Sequence, residues 1–267
     1  FSKNTVILFI LISLGIQGLD GVYQSFVGYD LFKHNLGSFA EGLTGATFNR
    51  NTFGFFMGLG VLTTYFLLIK KFSLDMKNGI VIILFIIFIF GTLFSYSRAT
   101  WVAVFICLFL YIIINYKKIN LKYLIILVTM CIAIFYLFNF SDYLSTRFHS
   151  LASGDSSNRY EIWLKAIEMI SQKPLFGWGI ESWKVFGLKE YAGIHNIYLE
   201  ILFSLGILGF FCFFIFLFLI SKNLFKHKDF ILSIFLIYFL VIGCFDHSIL
   251  TGKTYLASIT LLIFFIL

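Results

Sequence analysis

Residues 155–180 read D-S-S-N-R-Y-E-I-W-L-K-A-I-E-M-I-S-Q-K-P-L-F-G-W-G-I, and residues 195–209 read H-N-I-Y-L-E-I-L-F-S-L-G-I-L-G. This stretch is polar in a chain that is otherwise oily. From Asp155 to Gly209 the chain holds the sole proline, Pro174, three of the four tryptophans (Trp163, Trp178, Trp183), and a histidine, His195, at the mouth of an apolar run. Asn158 and Glu161 have the spacing of a helix-opening capping box. Tyr160, Trp163, Ile167 and Ile170 then recur at helical spacing, with Glu161, Lys165, Glu168 and Gln172 between them. Pro174, Gly177 and Gly179 end that helix in a turn. A helix this short falls below the roughly 20 residues a bilayer requires, so the spacing predicts that it lies on or between membrane helices.

The composition around this stretch sets the class. Of 267 residues, 60% are hydrophobic and 12% charged, and the mean hydropathy is +0.95. Soluble domains carry about 25% charged residues, so the chain reads as an integral membrane protein. Cys107, Cys131, Cys212 and Cys244 all fall inside apolar runs without a C-x-x-C pair, which points to small hydrophobes and not to a metal site or a disulfide framework. The chain opens on Phe1 and closes inside an apolar run at Leu267, so we read residues 1–267 as one membrane domain of a longer protein.

Apolar stretches fall at 5–19, 52–69, 78–95, 99–115, 123–140, 195–220, 230–245 and 254–267, and backbone in lipid must bond to itself, so helices are expected. The fold class is all-α: a polytopic helical membrane protein of about eight transmembrane helices, with a large helical loop at 141–194. The connections 1–4, 70–77, 116–122 and 221–229 are rich in lysine (Lys70, Lys71, Lys117, Lys118, Lys226 and Lys228 among them) and poor in acid. They are cytoplasmic by the positive-inside rule. The loops 20–51, 96–98, 141–194 and 246–253 balance their charges and lie outside. Every arginine (Arg50, Arg98, Arg147, Arg159) then falls on the outer side, where a planar guanidinium suits phosphate oxygens.

The order Arg159, Trp163, Pro174-x-x-Gly177-x-Gly179, His195-Asn196 and Gly206-x-x-Gly209 resembles the O-antigen ligase/polymerase superfamily of bacterial membrane glycosyltransferases. S-R-A-T-W at Ser97–Trp101 is similar to a second motif of that family, and T-F-N-R-N-T-F-G at Thr47–Gly54 to a third. The resemblance covers most of residues 45–210. It implies a GT-C-like fold and a metal-independent, inverting glycosyltransferase of the bacterial inner membrane, acting on the periplasmic side without cofactors. Its donor would be an undecaprenyl-pyrophosphate-linked glycan. Its acceptor would be lipid A-core, another glycan or a protein hydroxyl, with membrane lipid around it and no nucleic acid partner. O-antigen ligation is the leading expectation, with polymerase and protein O-oligosaccharyltransferase as alternatives within the family. Membrane helices beyond those counted are usual in the family, so part of the lipid-binding groove would lie outside this chain.

The resemblance assigns His195 as the base, and Arg98 and Arg159 as ligands of the diphosphate; Arg147, Asn196, Trp163 and Trp101 join them as substrate-binding candidates. The residues themselves leave alternatives open. Arg98 sits where two apolar runs meet, and a charge there must face protein, water, headgroups or a ligand. Arg159 falls in the first turn of a predicted helix, whose free N–H groups favour an anion. It is equally suited to pair with Glu161 or Asp155. A neutral His195 at a helix start can take a proton from a sugar hydroxyl. Trp178, Trp183, Phe186 and Tyr191 suit either sugar stacking or an interfacial aromatic belt. The pair Asp246–His247 is the rival signal, a proton relay of a transporter or flippase for lipid-linked glycan.

Overall fold

The computed structural model describes residues 3–34, 36, 42–47, 49–70, 78–115, 158–187, 193–226 and 230–246. The expected spans at 123–140 and 254–267 and the lysine loops 71–77 and 116–122 lie outside them. The chain divides into two compact units, Phe1–Ser153 and Gly154–Leu267.

The first unit is a helical bundle: α1 (Lys3–Val27), α2 (Arg50–Lys70), α3 (Asn78–Phe94) and α4 (Arg98–Asn115). Helix α2 is its centre. Phe53, Met57, Val61 and Leu62 are almost wholly buried there, against residues that include Phe88 of α3. The C-terminal end of α1 ties down the segment that follows it. The Gln24 amide oxygen accepts the N–H groups of Thr44 and Gly45, both at 2.9 Å, and Asp20 Oδ1 accepts the Leu31 N–H at 2.8 Å. Polar side chains near the end of an apolar helix are thus used on main chain that would otherwise be unsatisfied.

The second unit contains α5 (Arg159–Gln172), the single turn α6 (Trp183–Phe186), α7 (Ile197–Lys226) and α8 (Phe230–Gly243). Residues with good helix propensity, among them Leu164, Lys165, Ala166, Glu168 and Met169, build α5. Its start departs from expectation: Asn158 has φ 62° and makes no side-chain cap, because its left-handed backbone turns the amide away from the first N–H groups. Its buried face also differs from the predicted stripe. Ile162, Ala166 and Met169 enter the core with Trp183, Ile194 and Phe203, while Trp163 and Ile170 only flank it. Tyr160 and Ile167 are exposed.

Helix α7 is broken. Gly206 has φ 67° and ψ −168°, and the turn after α5 is joined to the break by main-chain hydrogen bonds. Phe203 O accepts the Trp178 N–H at 2.8 Å and Ser204 O accepts the Gly179 N–H at 2.9 Å. On the other side of the break, the Ile207 N–H donates to Pro174 O at 2.8 Å and the Leu208 N–H to Leu175 O at 3.4 Å. A continuous helix would pair residue 207 with 203 and residue 208 with 204. All four of those groups bond to the 174–179 loop. The fit leaves no room for side chains: a Cβ on Gly206 would meet Leu175 O at 2.3 Å, and one on Gly177 would meet Phe203 O at 2.5 Å.

The expectation of eight spans is too high for what is described. Among the described residues, four helices are long and apolar enough to cross a membrane: Ile7–Val27, Arg50–Ile69, Arg98–Asn115 and Ile197–Lys226. Helices α3 and α8 contain shorter apolar segments, Gly79–Phe94 and Leu232–Gly243, and fall short of the roughly 20 residues that reach across the hydrocarbon. No strand element occurs among the described residues, so the all-α membrane class holds. Of the cysteines, Cys107 is buried as expected, whereas Cys212 faces outward from α7.

Gly206→Ala should destabilise the protein by about 3 kcal/mol, combining left-handed strain with the clash on Leu175. Gly79→Ala, where nothing lies within 4 Å of the added methyl, should cost nothing. Thermal unfolding in detergent checks the pair; equal midpoints would exclude a docked break.

Candidate functional site

The motif residues of the second unit converge on His195. Three elements meet there: the start of α5 brings Arg159, the start of α7 brings Asn196, and the end of α8 brings Asp246. His195 itself lies just outside α7 in a left-handed conformation, φ 55°. It is partly buried, and its pKa lies below the usual imidazole value. Desolvation is the main cause; the Arg159 guanidinium pushes the same way, and the Asp246 carboxylate opposes them. The result is an imidazole kept neutral near pH 7 with a cation and an anion acting on it. It can take up a proton, and Asp246 would stabilise the charge that appears.

Asn196 opens α7. Its Oδ1 accepts the N–H groups of Tyr198 (2.9 Å) and Leu199 (3.0 Å), and its Nδ2 donates to Cys244 O at 3.0 Å. One side chain therefore caps a helix and ties it to the end of α8. The Tyr198 hydroxyl adds a second tie, donating to Leu240 O at 2.9 Å. The Trp163 indole donates to Ile194 O at 3.0 Å. Among the other aromatics, Trp183 is 2% exposed and belongs to the core. Trp178 stacks on Phe203 with ring centres 6.4 Å apart and carries the Lys173 ammonium 4.1 Å above its ring.

In the first unit the two remaining motifs meet each other. Arg98 is the first residue of α4 and Arg50 the first of α2. A Cβ on Gly54 of α2 would meet Ser95 Oγ at 2.6 Å, Ser97 Cβ at 2.7 Å and Thr100 Oγ1 at 3.0 Å, so the α3–α4 turn lies directly on α2. A Cβ on Gly42 would meet Ser95 O, Tyr96 and the Arg50 stem together. The Thr100 hydroxyl donates to Ser97 Oγ at 2.9 Å, and the Trp101 indole to Thr92 O at 2.9 Å. The turn is thereby fixed, with Tyr96 in a left-handed conformation (φ 52°) just before Arg98. Two helix starts, each with an arginine, are the kind of surface that holds an anion.

Residues 83–214, about half of the chain, match the O-antigen ligase family. The chain belongs to the O-antigen ligase superfamily. No curated protein matches it. Its general function is that of the O-antigen ligases and polymerases, with a lipid-linked glycan and an acceptor as partners, carried out by a membrane protein.

Within this ligase-family chain, the structure brings together His195, Arg159, Asn196 and Trp163 of the expected residues. Arg98 and Trp101 belong to the first unit, and Arg147 lies outside the described residues. Asp246, read from the sequence as half of a pair with His247, is the residue that sequence reasoning missed at this site. It is 2% exposed and acts electrostatically on His195. His247 lies outside the described residues. The only available signal was an acid close to the end of an apolar run.

Histidine resonances followed by NMR against pH should give His195 a midpoint below 6.5. Asp246→Asn should move it lower still and Arg159→Ala higher, following the signs of the two charges. A midpoint above 6.5, or one indifferent to both substitutions, would dismantle this electrostatic arrangement.

Proposed function

We propose that the protein transfers a glycan from undecaprenyl pyrophosphate to an acceptor hydroxyl at the periplasmic face of the bacterial inner membrane, with ligation of O-antigen to lipid A-core as the preferred reaction. The observation that supports this reading is the meeting of His195 with Arg159 at the start of α5 and Asp246 at the end of α8, where burial holds the imidazole pKa below its usual value. His195 takes the proton of the acceptor hydroxyl as its oxygen attacks the anomeric carbon. The bond from that carbon to the pyrophosphate oxygen breaks, and the electron pair leaves with the pyrophosphate. Direct attack inverts the anomeric centre. Arg159 neutralises charge growing on the leaving group, a task that a fixed guanidinium performs without a metal. Asp246 steadies the imidazolium until the proton is passed on. Arg98 is a phosphate ligand of the first unit.

The test is one in vitro turnover with purified protein, lipid-linked donor and acceptor, analysed for which molecule carries the sugar. His195→Ala and Arg159→Ala should each lower transfer by about 10²-fold or more, the scale of losing a general base or a charge-stabilising group. Membrane insertion should be unchanged. Full activity in either variant removes the assignment. Movement of the donor across the bilayer without bond formation would establish a flippase in its place.

A further inference from the structure

We propose that Trp163 and Asn196 are positioning residues for His195, which aim its imidazole by gripping the main chain on both sides of it. The inference rests on the reading of His195 as the base. Its starting point is the backbone. A non-glycine residue in the left-handed region is strained and persists only where its surroundings over-determine it. His195 is such a residue, with φ 55°.

Both of its neighbours are clamped. Ile194, before it, is 0% exposed, and its carbonyl accepts the Trp163 indole N–H at 3.0 Å. The Glu200 carboxylate lies against the Ile194 N–H on the other side of the same residue. Asn196, after it, spends its oxygen on the Tyr198 and Leu199 N–H groups and its amide nitrogen on Cys244 O. The clamps come from α5, α7 and α8, so the His195 backbone is fixed by three elements at once. The polar atoms of Trp163 and Asn196 used in this way are turned toward protein main chain. That is what a support of the base needs, and it is not the arrangement of a group that recognises a sugar.

Trp163→Phe keeps an aromatic ring and removes only the N–H. It should lower kcat by about 10²-fold, the scale of a misplacement of about 1 Å at a reacting group, while KM for the lipid-linked donor stays within about twofold. It should also move the His195 Cα resonance, which reports the backbone angle, and the acid limb of the kcat–pH profile. Asn196→Asp keeps the oxygen that caps α7 and removes the donor to Cys244; it carries the same test if Trp163→Phe does not fold. Glu200→Gln, which keeps an acceptor oxygen, should lose less than Glu200→Leu, which keeps none. An unchanged kcat overturns the proposal. So does a lower kcat with an unmoved His195 resonance, and so does a raised KM with kcat intact, which would make Trp163 a substrate ligand. If His195→Ala transfers glycan normally while Trp163→Phe still moves the His195 resonance, the assignment of the base has failed and the support has not.

Discussion

The second unit depends on one main-chain joint, the exchange of four hydrogen bonds between the 174–179 loop and the break in α7 at Gly206. Peptide groups left unpaired in or near hydrocarbon cost several kcal/mol each. A break in an apolar helix therefore persists only when something polar fills it. Here the filler is the turn that ends α5. It supplies two N–H groups to the carbonyls of Phe203 and Ser204, and two carbonyls to the N–H groups of Ile207 and Leu208. The joint fixes where α5 runs, and the apolar contacts of Ile162, Ala166 and Met169 with Phe203 follow from that placement. Arg159 and Trp163 ride on the same helix, so the geometry around His195 is a consequence of the joint.

The break also divides the labour of α7. Residues 207–226 make a helix of about 30 Å at 1.5 Å per residue, enough to cross the hydrocarbon unaided. Residues 197–205 are freed from spanning, and they serve instead to set the Asn196-capped start of a short helix beside His195. A single straight helix over the same residues would not allow this separation.

Much of this was legible in the chain, and the reasons for the rest are physical. Helices α1, α2 and α4 were legible as the apolar runs 5–19, 52–69 and 99–115, although α1 continues to Val27, into the stretch read as a loop. The turn at Pro174, Gly177 and Gly179 was legible because proline cannot continue a helix and glycine readily takes the left-handed backbone that a turn uses. The break at Gly206 was not: a glycine in an apolar helix is common, and its partner loop lies about 30 positions earlier in the chain. The buried face of α5 was misread because Tyr160 and Ile167 are apolar yet turn outward, while Ala166, too small to mark a stripe, is fully buried. His195 and Arg159 could be picked out by their setting and by family likeness. Asp246 was picked out only as a partner of His247; its place beside His195 was not legible, because it comes from the way the end of α8 is fastened to Asn196, a link across 48 positions.

The hydrogen bonds that dock the loop on α7 all run between peptide groups, so several side chains around them are free to vary. The side chains of Leu175, Phe176, Leu205 and Ile207 all project outward from the seam. Their identities are open to drift between one greasy residue and another, with the surrounding lipid as the only judge. What the joint requires is a silhouette of bare backbone at positions 177 and 206. Two chains with quite different letters around those points would still close the same clasp.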